Sequence, residues 1–408
     1  MVKSKWCVVC HHYLQITTYC VRLHFRPMIE VITAKFQHLF STTPLLAFAP
    51  GRINLIGEHT DYQEGFVFPA AVDKGIWVAI QRNNLHFCQL YSIDFDQQFK
   101  FELDSFSPKK GHWATYAMGM CALLKQAGYS VKGFDMVIGG NIPVGSGLSS
   151  SAALSVAIGT ALSGLFDFRI PKKNIALYAQ KSEQLYAGVN CGIMDPYASA
   201  FGVKDKALLL DCRTNTHEEV QVIIDEYSLI LVNSKVKHSL ADSAYNKRRE
   251  GCEESVRILQ ANFPEIKTLR DLSICQLEKV EKLLPAALFP KAKHVITECN
   301  RVHEAAKALK SGDLMNFGTL LNASHQSLSK DFEVSCPELD YLAEKSWELE
   351  GVLGSRMMGG GFGGCTINLV KNLEYETFQS QIFDSYLSQF KITAEFIPVR
   401  LSDGAKLI

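Results

Sequence analysis

Along residues 28–40, MIEVITAKFQHLF, the apolar Ile29, Ile32, Phe36 and Phe40 share one side of a 3.6-residue repeat, which predicts an amphipathic helix. The period then changes. Residues 45–82 carry two strand-like apolar pieces around a polar turn, followed by a strand near Gly75–Gln81. LHFCQLYSIDF and QQFKFEL read as further strands, rich in aromatic residues. A buried helix is expected from Trp113 to Gln126, then a strand in GFDMVIGGN, helices at Ser150–Leu165 and Lys172–Tyr186, and a short buried strand in ALLLDC. From Ser228 a second block opens with strand LILVN and a helix through SAYNKRREGCEESVRILQ. Amphipathic helices follow in VITECNRVHEAAKALKSG, LMNFGTLLNASHQSLS and CPELDYLAEKSWELEG. The chain ends on a glycine loop, SRMMGGGFGGC, then strand TINLV, helix YETFQSQIFDSYLSQF and strand TAEFIPV. Strands and helices mix without strict alternation, which argues an α+β fold in two domains. The polar stretch RTNTHEE places the divide near residue 214, giving units 28–214 and 215–408.

Composition narrows the class of partner. Of 408 residues, 47% are hydrophobic and 21% charged, and 42 Lys+Arg balance 42 Asp+Glu. That balance favours neither nucleic acid nor an anionic membrane. No uninterrupted apolar run approaches the roughly 18 residues of a membrane span. The 12 cysteines are scattered without an export signal, so a reducing cytoplasm is expected. Residues 1–27 stand apart. They contain Cys7-x-x-Cys10-His11, a pattern shared with haem attachment, and Cys7, Cys10, His11, His12 and Cys20 could surround zinc. Without a signal peptide the haem reading has no support, and this leader is assigned no function; Met28 is a sensible alternative start.

Four stretches concentrate residues that a plain core does not need. In NIPVGSGLSSSAALSVA, residues 141–157, two glycines and then three consecutive serines stand directly before an Ala-rich helical run. A helix N-terminus offers unpaired N–H groups to an anion, and Gly145 and Gly147 let the backbone approach it. A Walker A loop is excluded because its Lys is absent, and a plain Ser N-cap is the alternative. In GRINLIGEHTDY, Glu58, His59 and Asp61 crowd one turn, as recognition of a polyhydroxylated ligand requires, with the cation Arg52 six residues before Glu58. A surface turn with a local charge pair fits the same composition. In VNCGIMDPYASAFG, Asp195 lies among Ile193, Met194 and Tyr197, either as a helix cap or as a base. The fourth stretch, GGGFGG at 359–364, allows close approach of a ligand or backbone.

Taken together these stretches resemble the galactokinase subfamily of the GHMP small-molecule kinases. APGRINLIGEHTDY is similar to its sugar signature, NIPVGSGLSSSAAL to its phosphate loop and RMMGGGFGGC to its third motif, with CGIMD and HSLADSAYNKRRE in matching order. The resemblance covers roughly residues 30 to 400. It implies an N-terminal mixed-sheet domain like domain 2 of ribosomal protein S5, a ferredoxin-like C-terminal α/β plait, and an active site between them. It also implies transfer of the γ-phosphoryl group of ATP to the C1 hydroxyl of α-D-galactose by a monomer with magnesium. On that resemblance Asp195 is the catalytic base and Arg52 its charge-stabilising partner. Glu58, His59, Thr60, Asp61, Gly192 and Tyr245 match sugar-side positions. Gly145, Ser146, Gly147, Leu148, Ser149, Ser150 and Ser151 match the ATP loop, with Ser92 on the nucleotide side, and Ser151 and Glu183 match metal ligands. Two positions depart from the family pattern: Pro196 stands where Gln is common and Met358 where Thr is common. Rival readings are a kinase for N-acetylgalactosamine, galacturonate or arabinose, and a non-enzymatic galactose sensor, against which the intact GLSSSA stretch argues.

Overall fold

The computed structural model describes residues 28–107, 111–189, 191–237 and 241–408, so the leader lies outside the described residues. Helix α1 (28–40) forms as its spacing predicts, with Ile32 and Phe36 packed on Phe48 and Trp77. Strand β1 (Leu45–Asn54) leads to a tight turn and the two-residue β2 (Phe66–Val67). The long β3 (Pro69–Arg82), β4 (Phe87–Ser92), β5 (Gln97–Glu102) and β6 (Phe134–Gly140) follow. Alternation along β1 and β3 divides the two faces of their sheet. Phe48, Trp77 and Ala79 turn toward α1, whereas Ala47, Ala49, Ile76, Val78 and Ile80 join the larger core. That core is closed by α2 (Ala114–Gln126), α3 (Ser150–Leu165) and α4 (Lys172–Ser182).

The helix expected over Lys172–Tyr186 leaves α geometry at Glu183, where a π segment runs to Ala187. Next come the short α5 (Met194–Phe201) and the hairpin of β7 (Lys206–Asp211) and β8 (Thr216–Gln221). Residue 214, where the divide was expected, falls in the turn of that hairpin. Strand β8, polar and largely exposed, has the composition of a connector, yet it is the outer strand of the sheet β2-β7-β8.

The second unit runs β9 (Tyr227–Lys237), α6 (Ala241–Leu259), α7 (Leu277–Leu283), α8 (Phe289–Ser311), α9 (Leu314–Lys330) and α10 (Pro337–Trp347). It continues with β10 (Val352–Met357), β11 (Gly363–Lys371), α11 (Tyr375–Phe390) and β12 (Glu395–Val399). Its four strands are antiparallel in the order β10-β11-β9-β12, the ferredoxin-like arrangement of a βαββαβ unit with extra helices in the first crossover. One sheet face packs on α10 and α11. The other meets Ile53, Leu55, Ile56 and Phe68 from the first unit in a shared core. The last strand, β13 (Lys406–Leu407), returns to the first sheet beside β1, whose order is β13-β1-β3-β6-β4-β5. Among the described residues no helix is long and apolar enough to cross a membrane.

Candidate active site

The site begins at an irregularity in β1. Pairing with β3 slips between Pro50 and Arg52, and the Arg52 N–H turns to the Leu148 carbonyl at 3.0 Å. Such a bulge re-aims the next side chain. A Cβ at Gly51 would lie 2.7 Å from the Leu148 oxygen, so the loop before α3 can touch β1 only because residue 51 is glycine. The Arg52 guanidinium, 5% exposed, forks onto Asp195, with Nε donating to Oδ1 at 2.7 Å and Nη2 to Oδ2 at 2.6 Å. Its Nη1 donates to the Gly147 carbonyl. Burial opposes the guanidinium charge, but Asp195 outweighs it and holds the group more firmly protonated. Asp195 lies in the first turn of α5 and does not cap it; the cap position is Ile193. Pro196 follows within that turn, where a missing N–H costs nothing.

Gly147 has φ +69° and Ser149 φ +57°, so the chain enters α3 in left-handed steps that leave the helix N-terminus facing the cleft. Ser151 donates its hydroxyl to Glu183 Oε2 at 3.1 Å. Glu183 occupies the point where α4 opens into the π segment, a distortion frequent at functional sites. Its carboxyl is 4% exposed, and Oε1 has no protein partner. Burial, and then the Asp195 charge, push its pKa up to about 7. Met358 is buried in the same cluster as Leu148, beneath the loop.

On the other side of Arg52 lies the turn between β1 and β2. Burial, then the Asp195 charge, raise Asp61 to about 7. A Cβ at Gly192 would sit 1.7 Å from Asp61 Oδ2, so glycine at 192 is what makes room for that carboxylate. Glu58 is 2% exposed, and its Oε1 accepts from the Gly359 N–H at 2.7 Å and from Arg356 Nη2 at 3.1 Å. His59 bonds the Gly360 carbonyl through Nε2 at 3.2 Å and the Tyr62 hydroxyl through Nδ1 at 3.0 Å. A carbonyl only accepts, so Nε2 carries the proton; burial lowers the ring pKa to about 3, leaving Nδ1 bare to accept from Tyr62. Both nitrogens are thus spent on protein, and what His59 offers the cleft is its ring, tilted at 44° to Tyr245 with centroids 5.3 Å apart.

These groups line a cleft of about 590 Å³. Arg52, Glu58, His59, Asp61, Ser149, Ser151, Glu183, Gly192, Asp195 and Tyr245 all border it. Thr60 does not. It is wholly buried, and its hydroxyl lies 3.0 Å from the Gly57 carbonyl and 2.7 Å from that of Phe66, closing the turn. Ser92 is buried at the end of β4, its hydroxyl taking the Phe95 N–H at 3.4 Å. Gly145, Ser146, Gly147, Leu148 and Ser150 shape the loop without lining the cleft; Leu148 packs into the core, and the buried Ser146 hydroxyl has no protein partner. Sequence reasoning missed Arg356. This wholly buried side chain donates to the Leu55 carbonyl at 2.8 Å and to Asn54 O, fastening β10 to the turn. In sequence it stands inside RMMGGGFGGC, where the glycines draw attention and nothing marks the arginine as buried.

Among the described lining residues, Arg52 is the one permanent cation facing Glu58, Asp61, Glu183 and Asp195. A polyanion entering such a cleft needs a cation with it, and the unpartnered Glu183 Oε1 beside the Ser151 hydroxyl is an oxygen donor set that suits a hard divalent ion. No group of three or more His, Cys, Asp or Glu suited to hold a metal occurs among the described residues.

The glycine-serine entry to α3, the Asp195 carboxylate forked on Arg52 and the turn carrying Glu58, His59 and Asp61, set between a mixed sheet and a ferredoxin-like unit, are arranged as in the GHMP small-molecule kinases. Family models agree. GHMP kinases N terminal domain matches residues 115–203, GHMP kinases C terminal 305–385, and the galactokinase galactose-binding signature 34–82. The chain belongs to the galactokinase family, and it is an ATP-dependent sugar kinase. It is 40% identical to a galactokinase of Roseiflexus sp. over 91% of this chain and 95% of the relative. A galactokinase of Fusobacterium nucleatum is 39% identical, over 93% and 99%. The crystal structure of Lactococcus lactis galactokinase complexed with galactose superposes with a TM-score of 0.90 at 38% identity, covering 93% of this chain and 100% of that one. Methanococcus jannaschii mevalonate kinase, at 17% identity and a TM-score of 0.66, shares the fold.

Proposed function

We propose that this chain transfers the γ-phosphoryl group of ATP to the C1 hydroxyl of α-D-galactose, giving α-D-galactose 1-phosphate and ADP. The observation that carries the reading is the Arg52–Asp195 fork, which stands between the α3 N-terminus and the turn bearing Asp61. Asp195 orients the C1 hydroxyl and takes its proton as the oxygen bonds to phosphorus and the bond to ADP breaks. Arg52 holds that carboxylate in place and offsets charge on the moving oxygens. The N–H groups opening α3 receive the nucleotide phosphates. Ser151 and Glu183 would hold Mg2+, which when bound neutralises phosphate charge. Asp61, Tyr245 and Glu58 face the sugar, with His59 contributing its ring and Gly192 the space for Asp61. A group placed to bond one hydroxyl rejects an epimer because its own polar atoms are stranded. The protein acts as a monomer in the cytoplasm; its described cysteines are free thiols, as a reducing compartment requires.

A coupled assay of ADP release across a panel of sugars tests the reading. Galactose should give the highest kcat/KM. Strong turnover of glucose or N-acetylgalactosamine with little for galactose removes it.

Asp61 supplies a pH test. In the unfolded chain its carboxyl ionises near 3.8, whereas in the fold it keeps its proton until about pH 7. The folded state therefore binds more protons between those values, and stability falls as pH rises across that window. Asp61→Asn removes the titration. Its Tm should exceed wild type by a margin that grows from pH 5 to pH 8, while its galactose KM rises. A margin constant with pH would show that Asp61 does not ionise against burial.

A further inference from the structure

We propose that Glu298, on α8 of the second unit, is a positioning residue that sets the geometry of the sugar-binding turn through the backbone of Gly57. The inference rests on the galactose reading above and extends it to a side chain outside the cleft.

The turn from Asn54 to His59 is held at successive peptide groups by side chains from the other unit. Arg356 takes the Asn54 and Leu55 carbonyls, Glu298 takes the Gly57 N–H and His294 takes the Glu58 carbonyl. Glu298 is the charged centre of the α8 share. Its side chain is wholly buried, a placement that costs several kcal/mol for an ion unless it is paired and hydrogen-bonded (roughly the penalty for burying a carboxylate). The pairing is complete: Oε1 accepts from the Gly57 N–H at 2.9 Å and from the Ser324 hydroxyl at 2.6 Å, and Oε2 from Arg301 Nε at 2.6 Å.

Gly57 is also where the turn is tightest. Its φ is +103°, and a Cβ there would meet Val302 Cγ2, one turn along α8 from Glu298, at 2.8 Å. The residue that follows carries the carboxylate Glu58, and His59 comes next. Release of the Gly57 N–H frees the 56–57 peptide, and a rotation there swings the sugar-facing groups that follow, whereas the phosphate loop, anchored on β1 at Arg52, is held by other bonds. His294, four residues before Glu298, holds the other side of the same segment: Nε2 bonds the Glu58 carbonyl at 3.1 Å and Nδ1 the Ser327 hydroxyl at 2.9 Å. A fold stabilised by α8 needs only its apolar face; the Glu298–Arg301 ion pair, with the Ser324 hydroxyl donating to it, serves the turn.

Glu298→Gln tests this. An amide presents one acceptor and one donor, so it can satisfy Gly57 or Arg301 but not both. The galactose KM should rise about 10-fold, the change expected when a charge-assisted hydrogen bond to the turn is lost, with the ATP KM within about 2-fold of wild type. Ser324→Ala removes one of the bonds that fix Oε1 and should raise the galactose KM about 3-fold; it decides the matter if the Gln variant does not fold. A purely structural role would lower the active fraction and leave both KM values unmoved. A galactose KM within 2-fold of wild type in a folded variant, or both KM values rising together, overturns the proposal. Wild type is assayed first. Absence of galactose turnover there removes the substrate reading, and the comparison is then made with the sugar that wild type does phosphorylate.

Discussion

Asp195→Asn should still bind ATP and galactose and lose turnover by at least about 10²-fold, the low end of what general-base catalysis contributes. The substitution keeps the shape of the side chain and removes both its charge and its capacity to take a proton. In the native site each carboxylate oxygen accepts from Arg52, at 2.7 and 2.6 Å. An amide keeps one of those bonds and sets its NH2 against the other guanidinium donor. Some loss of thermal stability is therefore expected, because a buried cation loses its partner, although Glu58 and Asp61 still favour the Arg52 charge. Binding and chemistry should separate cleanly, since the phosphate loop and the Asp61 turn remain as they are. The measurement is galactose-dependent ADP release with nucleotide affinity and Tm for both proteins. Retention of more than about a tenth of wild-type turnover would falsify the base assignment.

Much of this site is legible in the residues themselves, and the part that is not has physical causes. The helical repeat of 28–40 and the glycine-serine entry to α3 depend on local preference, and both form as read. Asp195 and Arg52 stand 143 residues apart, and only the slip in β1 and the first turn of α5 bring them into one fork. Thr60 and Ser92 carry hydroxyls typical of a binding site, yet the backbone turns both inward, because carbonyls and N–H groups nearby need partners. β8 is hard to see in the sequence because THEEVQ has one apolar residue and no alternation, so it resembles a loop in composition. β13 is two residues long, too short for any period. Glu298 and His294 were hidden for a related reason. A polar residue on an amphipathic helix reads as solvated, and only tertiary contact shows that these two face the core. Tyr245 and Glu183 read as solvated on local pattern alone; the family resemblance singled them out, and both line the cleft.

Arg52→Met should cost more than one function at once. Methionine is unbranched and matches the apolar stem of arginine, and the bond to Leu148 comes from the backbone N–H of residue 52, so the bulge at Gly51 can persist. What disappears is the fork on Asp195 and the donor to the Gly147 carbonyl, leaving Asp61, Glu183 and Asp195 without the cation that faces them across the cleft, while Glu58 keeps Arg356. Breaking a buried ion pair from one side typically destabilises by about 3–5 kcal/mol; the Asp195 side chain is 22% exposed, and water screening lowers the expectation to roughly 1–3 kcal/mol. Turnover should fall about 10²–10³-fold, as when a single charge-stabilising donor is removed from a reacting centre. Arg52→Lys separates the two roles. Its ammonium restores the charge but cannot reach both Asp195 oxygens and the Gly147 carbonyl together, so stability should recover more fully than turnover. Tm and kcat for the three proteins decide the point. Equal recovery of both in the Lys variant would mean that charge alone, and not the fork, is what the site requires of Arg52.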